Sequence, residues 1–253
     1  MQIITDLKIW KGLRDTTYSS NSLGFVPTMG ALHKGHLSLV RRSISENDFT
    51  VVSIFLNPTQ FDNTNDLHKY PNTIVSDRSK LKKEDVDALL CPDYDQMYPD
   101  NYTYKISETE FSKLLCGTHR PGHFDGVLTV VLKLINLVKP RHVYFGEKDY
   151  QQFKLISGMV KAFFMDTEIV PCETIREVDG LAGSSRNGRL THKNRKKAPL
   201  FYSILSSMDL NPAEAIEKLQ SAGFKVEYVE DIGNRRYGAV YLGEVRLIDN
   251  VYR

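Results

Sequence analysis

The sequence predicts an α/β fold built on a parallel sheet, followed by a smaller α+β unit. Three observations carry that prediction. Residues 50–56 (TVVSIFL) are a nearly continuous apolar run rich in β-branched side chains, as in a strand covered on both faces. Val127, Leu128, Val131, Leu134, Ile135 and Val138 recur at helical spacing, with Pro140 just beyond them. Strand-like and helix-like segments alternate along most of the chain.

Residues 1–22 read as a short strand at Ile3 and Ile4, a helix, and a polar loop, 16–22 (TTYSSNS). Leu23, Phe25 and Val26 start a buried strand that Pro27 ends, because proline has no N–H for the ladder. A tight loop containing Gly30 and Gly35 follows, both glycines leaving room for a ligand near the backbone. It opens into a helix reaching residue 47. The strand at 50–56 stops at Asn57-Pro58, which puts Gln60 and Phe61 in a loop. Residues 62–70 are polar and read as mobile loop. Then come a helix at 72–85, a strand at 86–90, loop to residue 104, and a short helix at 111–116. The loop 120–123 (RPGH) enters a long helix, 124–138. Strands at 143–145 and 168–172 flank a helix at 150–164, which Asp149 is placed to cap. The character changes near Thr174. Residues 180–190 (GLAGSSRNGRL) are loop-rich, and 192–199 (HKNRKKAP) read as a solvated, basic helix start. An amphipathic helix at 212–222 and strands at 226–229, 237–242 and 244–248 complete the chain. The expected division is 1–173 and 174–253.

The 253 residues suffice to bury a core, as one large domain or two smaller ones. A net charge of +2 argues against a nucleic-acid or membrane-surface role. The three cysteines, Cys91, Cys116 and Cys172, are far apart and form no CxxC pair, so neither a zinc site nor a disulfide framework is expected. Reduced thiols point to the cytoplasm. The first fifteen residues mix acidic and basic side chains where a signal peptide needs an apolar run. No stretch is long and apolar enough to span a bilayer.

The chemistry concentrates in four segments that follow strands. In the first, His33 and His36 lie three apart at the start of a helix. Free N–H groups and the positive end of the helix dipole suit phosphate, and two imidazoles can stabilise charge developing there. The second is NPTQF, with Asn57 and Gln60. The third, FGEKDYQQ, offers Gly146, Lys148, Asp149 and the amides of Gln151 and Gln152. In the fourth, Ser184, Ser185 and Arg186 combine hydroxyls with a guanidinium, a set suited to a triphosphate. Ligands of open parallel sheets bind at the carboxyl ends of strands, so these loops should converge on one cleft. Arg120 and His123 are candidates to face a carboxylate substrate, or to order their own loop.

PTMGALHKGH closely resembles the signature of the pantoate–β-alanine ligase family (the pantothenate synthetases), within the nucleotidyltransferase superfamily marked by an HxGH element. VSIFLNPTQF, MYP at 97–99, RPGHFDGVLTVVLKLINLVKP, YFGEKDYQQ, REVDGLAGSSRNGRL and the terminal GEVRLIDN extend the resemblance, in order, over nearly the whole chain. The resemblance implies ATP-dependent condensation of pantoate with β-alanine through a pantoyl adenylate, giving pantothenate, AMP and pyrophosphate. It also implies a Rossmann-like N-terminal domain, a smaller C-terminal lid domain, a homodimer and Mg²⁺.

Carried over by position, Met29, Gly30, Ala31, Leu32, His33, Lys34, Gly35 and His36 would line the ATP site, with a proton-donor role for His36. Gly146, Glu147, Lys148, Asp149 and Val178 would contact the nucleotide. Gly183, Ser184, Ser185 and Arg186 would follow its phosphates. Gln60 and Gln152 would hold pantoate, and Gln60 would also face β-alanine. Asn57, Arg120 and Lys148 are further site residues, and Asp77 is the candidate carboxylate for Mg²⁺. Loops 57–70 and 183–197 are the expected lids. Two departures stand out: Gly183 replaces the family's usual Met, and 205–214 reads as shortened. Both leave room for a non-catalytic ATP-binding sensor. A plain nucleotidylyltransferase would share the histidines but should carry more cations for a phosphorylated acceptor.

Overall fold

The computed structural model describes residues 1–18 and 22–253. Part of the predicted polar loop, 19–21, therefore lies outside the described residues. The chain begins with β1 (Gln2–Ile4), α1 (Leu7–Thr16), β2 (Leu23–Thr28), α2 (Lys34–Glu46) and β3 (Phe49–Ile54). It continues with α3 (Thr64–His68), α4 (Ile74–Lys83), β4 (Ala88–Leu90), α5 (Tyr94–Met97), α6 (Cys116–His119) and α7 (His123–Val138). Then come β5 (His142–Gly146), α8 (Tyr150–Ala162), β6 (Glu168–Cys172), α9 (His192–Lys197), α10 (Pro199–Leu205) and α11 (Pro212–Ser221). Three strands end the chain: β7 (Lys225–Ile232), β8 (Arg235–Leu242) and β9 (Val245–Tyr252).

Six strands form one parallel sheet in the order β1-β4-β3-β2-β5-β6. The α/β class is as predicted. The strand order reverses at β2, which has β3 on one side and β5 on the other. Such a reversal opens a crevice at the strands' carboxyl ends. The loops after β2, β3 and β5 all leave at that crevice.

Successive side chains of a strand point to opposite faces, and the core divides accordingly. Phe25 and Val51 join one cluster, with Trp10 of α1 and the apolar face of α7. Val26 and Val52 join another, with Leu39 and Val40 of α2 and Leu81 of α4. The predicted long helix is α7, which is buried on nearly all sides, as its continuous apolar sequence requires. The last three strands form an antiparallel sheet, β7-β8-β9. One face packs Val229 and Val240 on Phe201, Leu205 and Leu219 of α10 and α11. From the other face, Tyr228, Tyr237 and Ala239 enter the core of the parallel-sheet layer.

Some local expectations are corrected. Pro27 lies inside β2, paired in register with Ser53, and only the ladder to β5 stops short, at Phe25. Asp62 to Tyr70 is not all loop, because Asn63 caps the short helix α3. The 111–116 helix splits in two where Leu115 takes φ 51°. The helices α5 and α10 are additional, and β7 and β9 run longer than their apolar patterns suggest, because pairing with β8 carries them on.

One close approach fixes how the site is supported. A Cβ on Gly126 would clash with the carbonyl oxygen of Thr59. The glycine lets the turn at Pro58–Gln60 lie directly on α7. Gly126→Ala is expected to destabilise the protein by about 1–3 kcal/mol, the usual cost of overpacking. The check is a urea titration, in which the midpoint should fall while the slope stays unchanged.

Candidate active site

After β2 the chain must reverse beneath the sheet edge before α2 can start. Gly30 takes φ 83° and Ala31 φ 52°. Left-handed backbone costs a residue with a side chain about 1–2 kcal/mol. Asp77 of α4 offsets that cost. Its carboxylate accepts the N–H groups of Ala31 at 2.8 Å and Leu32 at 2.9 Å, and the Thr73 hydroxyl at 2.9 Å. Lys80 stands 3.5 Å from the same carboxylate and donates to the Leu32 carbonyl. Asp77 is 1 % exposed. Both oxygens of the carboxylate expected for Mg²⁺ thus hold the loop.

That loop delivers two histidines to the start of α2. His33 is the N-cap, and its Nδ1 accepts the Gly35 N–H at 3.1 Å. Nδ1 of His36 accepts the His33 N–H at 3.4 Å, closing a reciprocal capping box. The rings lie 4.0 Å apart, centroid to centroid. Gly35 makes room for this arrangement, since a Cβ there would stand 2.9 Å from the His33 ring. Burial, helped by Lys148 and Lys80, lowers His33 to a pKa of about 4. Burial, the neighbouring His33 and then the two lysines lower His36 to about 3. Both imidazoles are neutral at pH 7. With each Nδ1 accepting, each proton must sit on Nε2.

The second loop presents Gln60. Asn57, 1 % exposed, donates to Gln60 Oε1 at 3.0 Å and to the Gly126 carbonyl at 3.2 Å. Its own oxygen accepts from the hydroxyls of Tyr98 at 2.9 Å and Thr59 at 3.0 Å. Asn57, expected to touch substrate, instead orients Gln60, whose NH₂ is left for the cleft. His123 donates through Nδ1 to the Gln60 carbonyl and accepts from Arg120 on Nε2. Burial and then Arg120 hold His123 near a pKa of about 3. Arg120 also donates to Asp62 and to the Gln60 carbonyl. Of the two roles expected for this pair, the hydrogen bonds show the ordering of the loop, bracing the Gln60 turn, while both side chains also line the larger of the cleft's two chambers. The two glutamines of α8 diverge. Gln151 is buried and bonds Cys116, Phe111 and Leu114, whereas Gln152 lines the cleft.

Two chambers of about 400 and 220 Å³ open here. They share Met29, Gln60, Lys148, Asp149, Gln152, Ser184 and Arg186. The smaller also takes His33, Gly35, His36, Gly146, Gly183 and Ser185. Of the other expected residues, Gly30, Ala31 and Leu32 underlie the loop, and Lys34 faces solvent. Glu147 turns towards Arg235, and the Val178 side chain is fully exposed, outside both linings.

The 183–190 segment closes over the histidines. The Cβ position of Gly183 is 3.5 Å from His33 Nδ1, so a side chain there would lean on that ring. Ser184 caps the turn Ser185–Arg189, and Ser185 bonds the Tyr70 hydroxyl. Arg186 and Arg189 both donate to Asp66, at 2.7 and 2.6 Å. Sequence reasoning missed Asp66, Tyr70 and Arg189. Asp66 lies 120 residues from Arg186, and nothing local marks it.

The model of the pantoate-beta-alanine ligase family matches residues 2–252. The chain belongs to that family. The pantothenate synthetase of Bdellovibrio bacteriovorus is 58 % identical over 232 residues, 92 % of each chain. That of Legionella pneumophila is 49 % identical over 250 residues, 99 % of each. Among solved structures, the pantoate-beta-alanine ligase of Francisella tularensis, complexed with beta-gamma ATP and beta-alanine, superposes with a TM-score of 0.96 at 46 % identity. It covers 100 % of this chain and 97 % of its own. The match to the Legionella enzyme runs end to end, 99 % of each chain.

The three depressed histidines make the fold acid-sensitive in a definite window. Between the folded pKa values of about 3 to 4 and the ordinary 6.5, the unfolded chain binds more protons than the folded one. Their stability contribution is complete above pH 6.5 and is lost as pH falls below it. Calorimetric melting should show Tm dropping steadily from pH 7 to pH 5. A flat profile would mean that these imidazoles charge freely in the folded protein.

Proposed function

We propose that this chain joins pantoate to β-alanine at the expense of ATP, by way of a pantoyl adenylate. The observation that carries the proposal is the shared wall of the two chambers. In that wall the amides of Gln60 and Gln152 stand with the phosphate-type donors Lys148 and Arg186, the smaller chamber adds His33 and His36, and the larger has room for another reactant. Neutral amides suit a small polar acid better than a phosphorylated acceptor, which disfavours the plain nucleotidylyltransferase.

Pantoate's carboxylate oxygen attacks the α-phosphorus, the bond to the bridging oxygen breaks, and pyrophosphate leaves. The amine of β-alanine, in its neutral form, then attacks the acyl carbon, the bond from that carbon to the phosphate oxygen breaks, AMP leaves and the amine gives up a proton. Charge builds on phosphoryl oxygens in the first step. Nε2–H of His33 and His36, the Lys148 ammonium and the Arg186 guanidinium are the donors for it. With its pKa lowered to about 3, His36 keeps its Nε2 proton and works as a hydrogen-bond donor, in place of the proton transfer first expected. The adenylate is prone to hydrolysis, so water must be kept out. Segments 57–70 and 183–197 act as the lids, tied by Asp66 to Arg186 and Arg189 and by Ser185 to Tyr70. Gly183 fits a narrow gap in which a Cβ would stand 3.2 Å from the Ile175 carbonyl oxygen and 3.5 Å from His33 Nδ1.

Among the described residues, no cluster of three His, Cys, Asp or Glu could hold a metal. Mg²⁺ therefore enters with ATP, bound chiefly by phosphate oxygens and water. Asp149, a half-exposed carboxylate on the shared wall, is available to that water shell. Residues 1–173 and 174–253 are the proposed domains. A cytoplasmic homodimer that binds neither nucleic acid nor membrane is the proposed working form. Three free thiols support the cytoplasmic part of that reading and the modest net charge its lack of a nucleic-acid partner, while the homodimer follows from the family resemblance.

Pyrophosphate release measured with MgATP plus pantoate, β-alanine or both tests the reaction. Sustained release only with both, matched by equimolar AMP and pantothenate, is expected. His36→Ala should lower kcat/KM by roughly a hundredfold, the loss typical of one charge-stabilising donor. ATP binding without turnover would instead make the chain a sensor. Asp66 competes with the triphosphate for two arginines, so Asp66→Asn should lower the KM for ATP several-fold, read from initial rates at saturating pantoate and β-alanine.

A further inference from the structure

Lys148 sits in the short turn Glu147–Asp149 between β5 and α8. Asp149, at the N-cap of α8, makes no side-chain capping bond, so the turn is not fastened in the usual way. The fastening comes from the far end of the chain. Asn250 of β9, 5 % exposed, donates from Nδ2 to the carbonyls of Glu147 at 2.8 Å and Lys148 at 2.9 Å. Its Oδ1 accepts from the guanidinium of Arg235. The amide can face only one way, because the flipped form would set its oxygen against two carbonyls and its NH₂ against a cation.

The groups behind Asn250 are buried and held as well. Its backbone N–H donates to Asp249 Oδ1 at 2.8 Å, and Arg176 grips the Asp249 carboxylate with two bonds of 2.6 and 3.0 Å. Arg235 is 4 % exposed and lies between the rings of Tyr150 and Tyr252, 3.7 and 4.2 Å from their centroids. Its guanidinium also stands 3.7 Å from the Glu147 carboxylate. The antiparallel sheet thus grips both flanks of the Lys148 turn.

We propose that Asn250 is a positioning residue for Lys148: its two N–H donors set the height of the turn and so aim the ammonium at the shared wall of the chambers. The inference rests on the reading that Lys148 stabilises phosphoryl charge. Misplacing a reacting group by about 1 Å is enough to cost roughly a hundredfold in rate. Asn250 would then matter for turnover without touching substrate.

The test is a double-mutant cycle on the full chain, with kcat for pyrophosphate release as the readout. Asn250→Asp keeps the shape and the acceptor for Arg235 but removes both donors. It should lower kcat by roughly tenfold to a hundredfold. The pair Asn250→Asp with Lys148→Ala should be no slower than Lys148→Ala alone, since the lysine being aimed is already gone. Losses that multiply, or an Asn250→Asp enzyme at wild-type kcat beside a slow Lys148→Ala, would overturn the proposal. A fast Lys148→Ala enzyme would overturn the reading of Lys148 itself, a distinguishable result. If Asn250→Asp melts below the assay temperature, Asn250→Ala taken through the same cycle decides by the same criterion.

Discussion

Two backbone N–H groups have to be satisfied under the edge of a parallel sheet, and the rest of the site depends on how. The chain leaving β2 turns through left-handed backbone at Gly30 and Ala31, which points the amides of Ala31 and Leu32 inward. A buried amide without a partner costs about 1–3 kcal/mol. Asp77 meets both amides with one carboxylate. From that clamp follow the starting point of α2, the N-cap position of His33, and the packing of the two imidazoles against each other. The residue with the most obvious metal-ligand chemistry is in fact the anchor of the loop.

The electrostatics follow from the same geometry. Burial and two lysines keep the histidines uncharged, and the capping box ties up each Nδ1. What remains is a pair of Nε2–H donors whose orientation is set before any ligand arrives. Gln60 is prepared in a similar way: Asn57 holds its oxygen, and His123 and Arg120 hold its carbonyl. Such groups need little reorganisation when charge develops beside them.

The small antiparallel sheet does more than cover the cleft. Tyr228 and Tyr237 enter the main core, and Asn250 reaches the carbonyls of the turn after β5. Burying this many polar groups is tolerable only because most of them are paired. Arg235 still has nitrogens without a hydrogen-bond partner, and two aromatic faces and a nearby carboxylate stand in for one.

The sequence by itself determined the α/β class, the long buried helix, the strands on which the site is mounted, and the family. Apolar periodicity and strand-ending residues act locally, and motifs such as PTMGALHKGH and GSSRN are contiguous, so both are visible in one dimension. His33, His36, Gln60, Lys148, Gln152 and Arg186 do meet at one cleft, as strand-end logic required. Asp77, Asn57, Arg120 and His123 each hold a loop of the site, which the sequence could not separate from contact with a ligand, because a polar side chain near a motif looks the same whether it faces a ligand or a backbone amide. Only the tertiary structure decided which. It alone brought Asp66 to Arg186 and Asn250 to the Lys148 turn, since hydrogen-bond partners a hundred or more residues apart are chosen by packing and burial, not by local pattern.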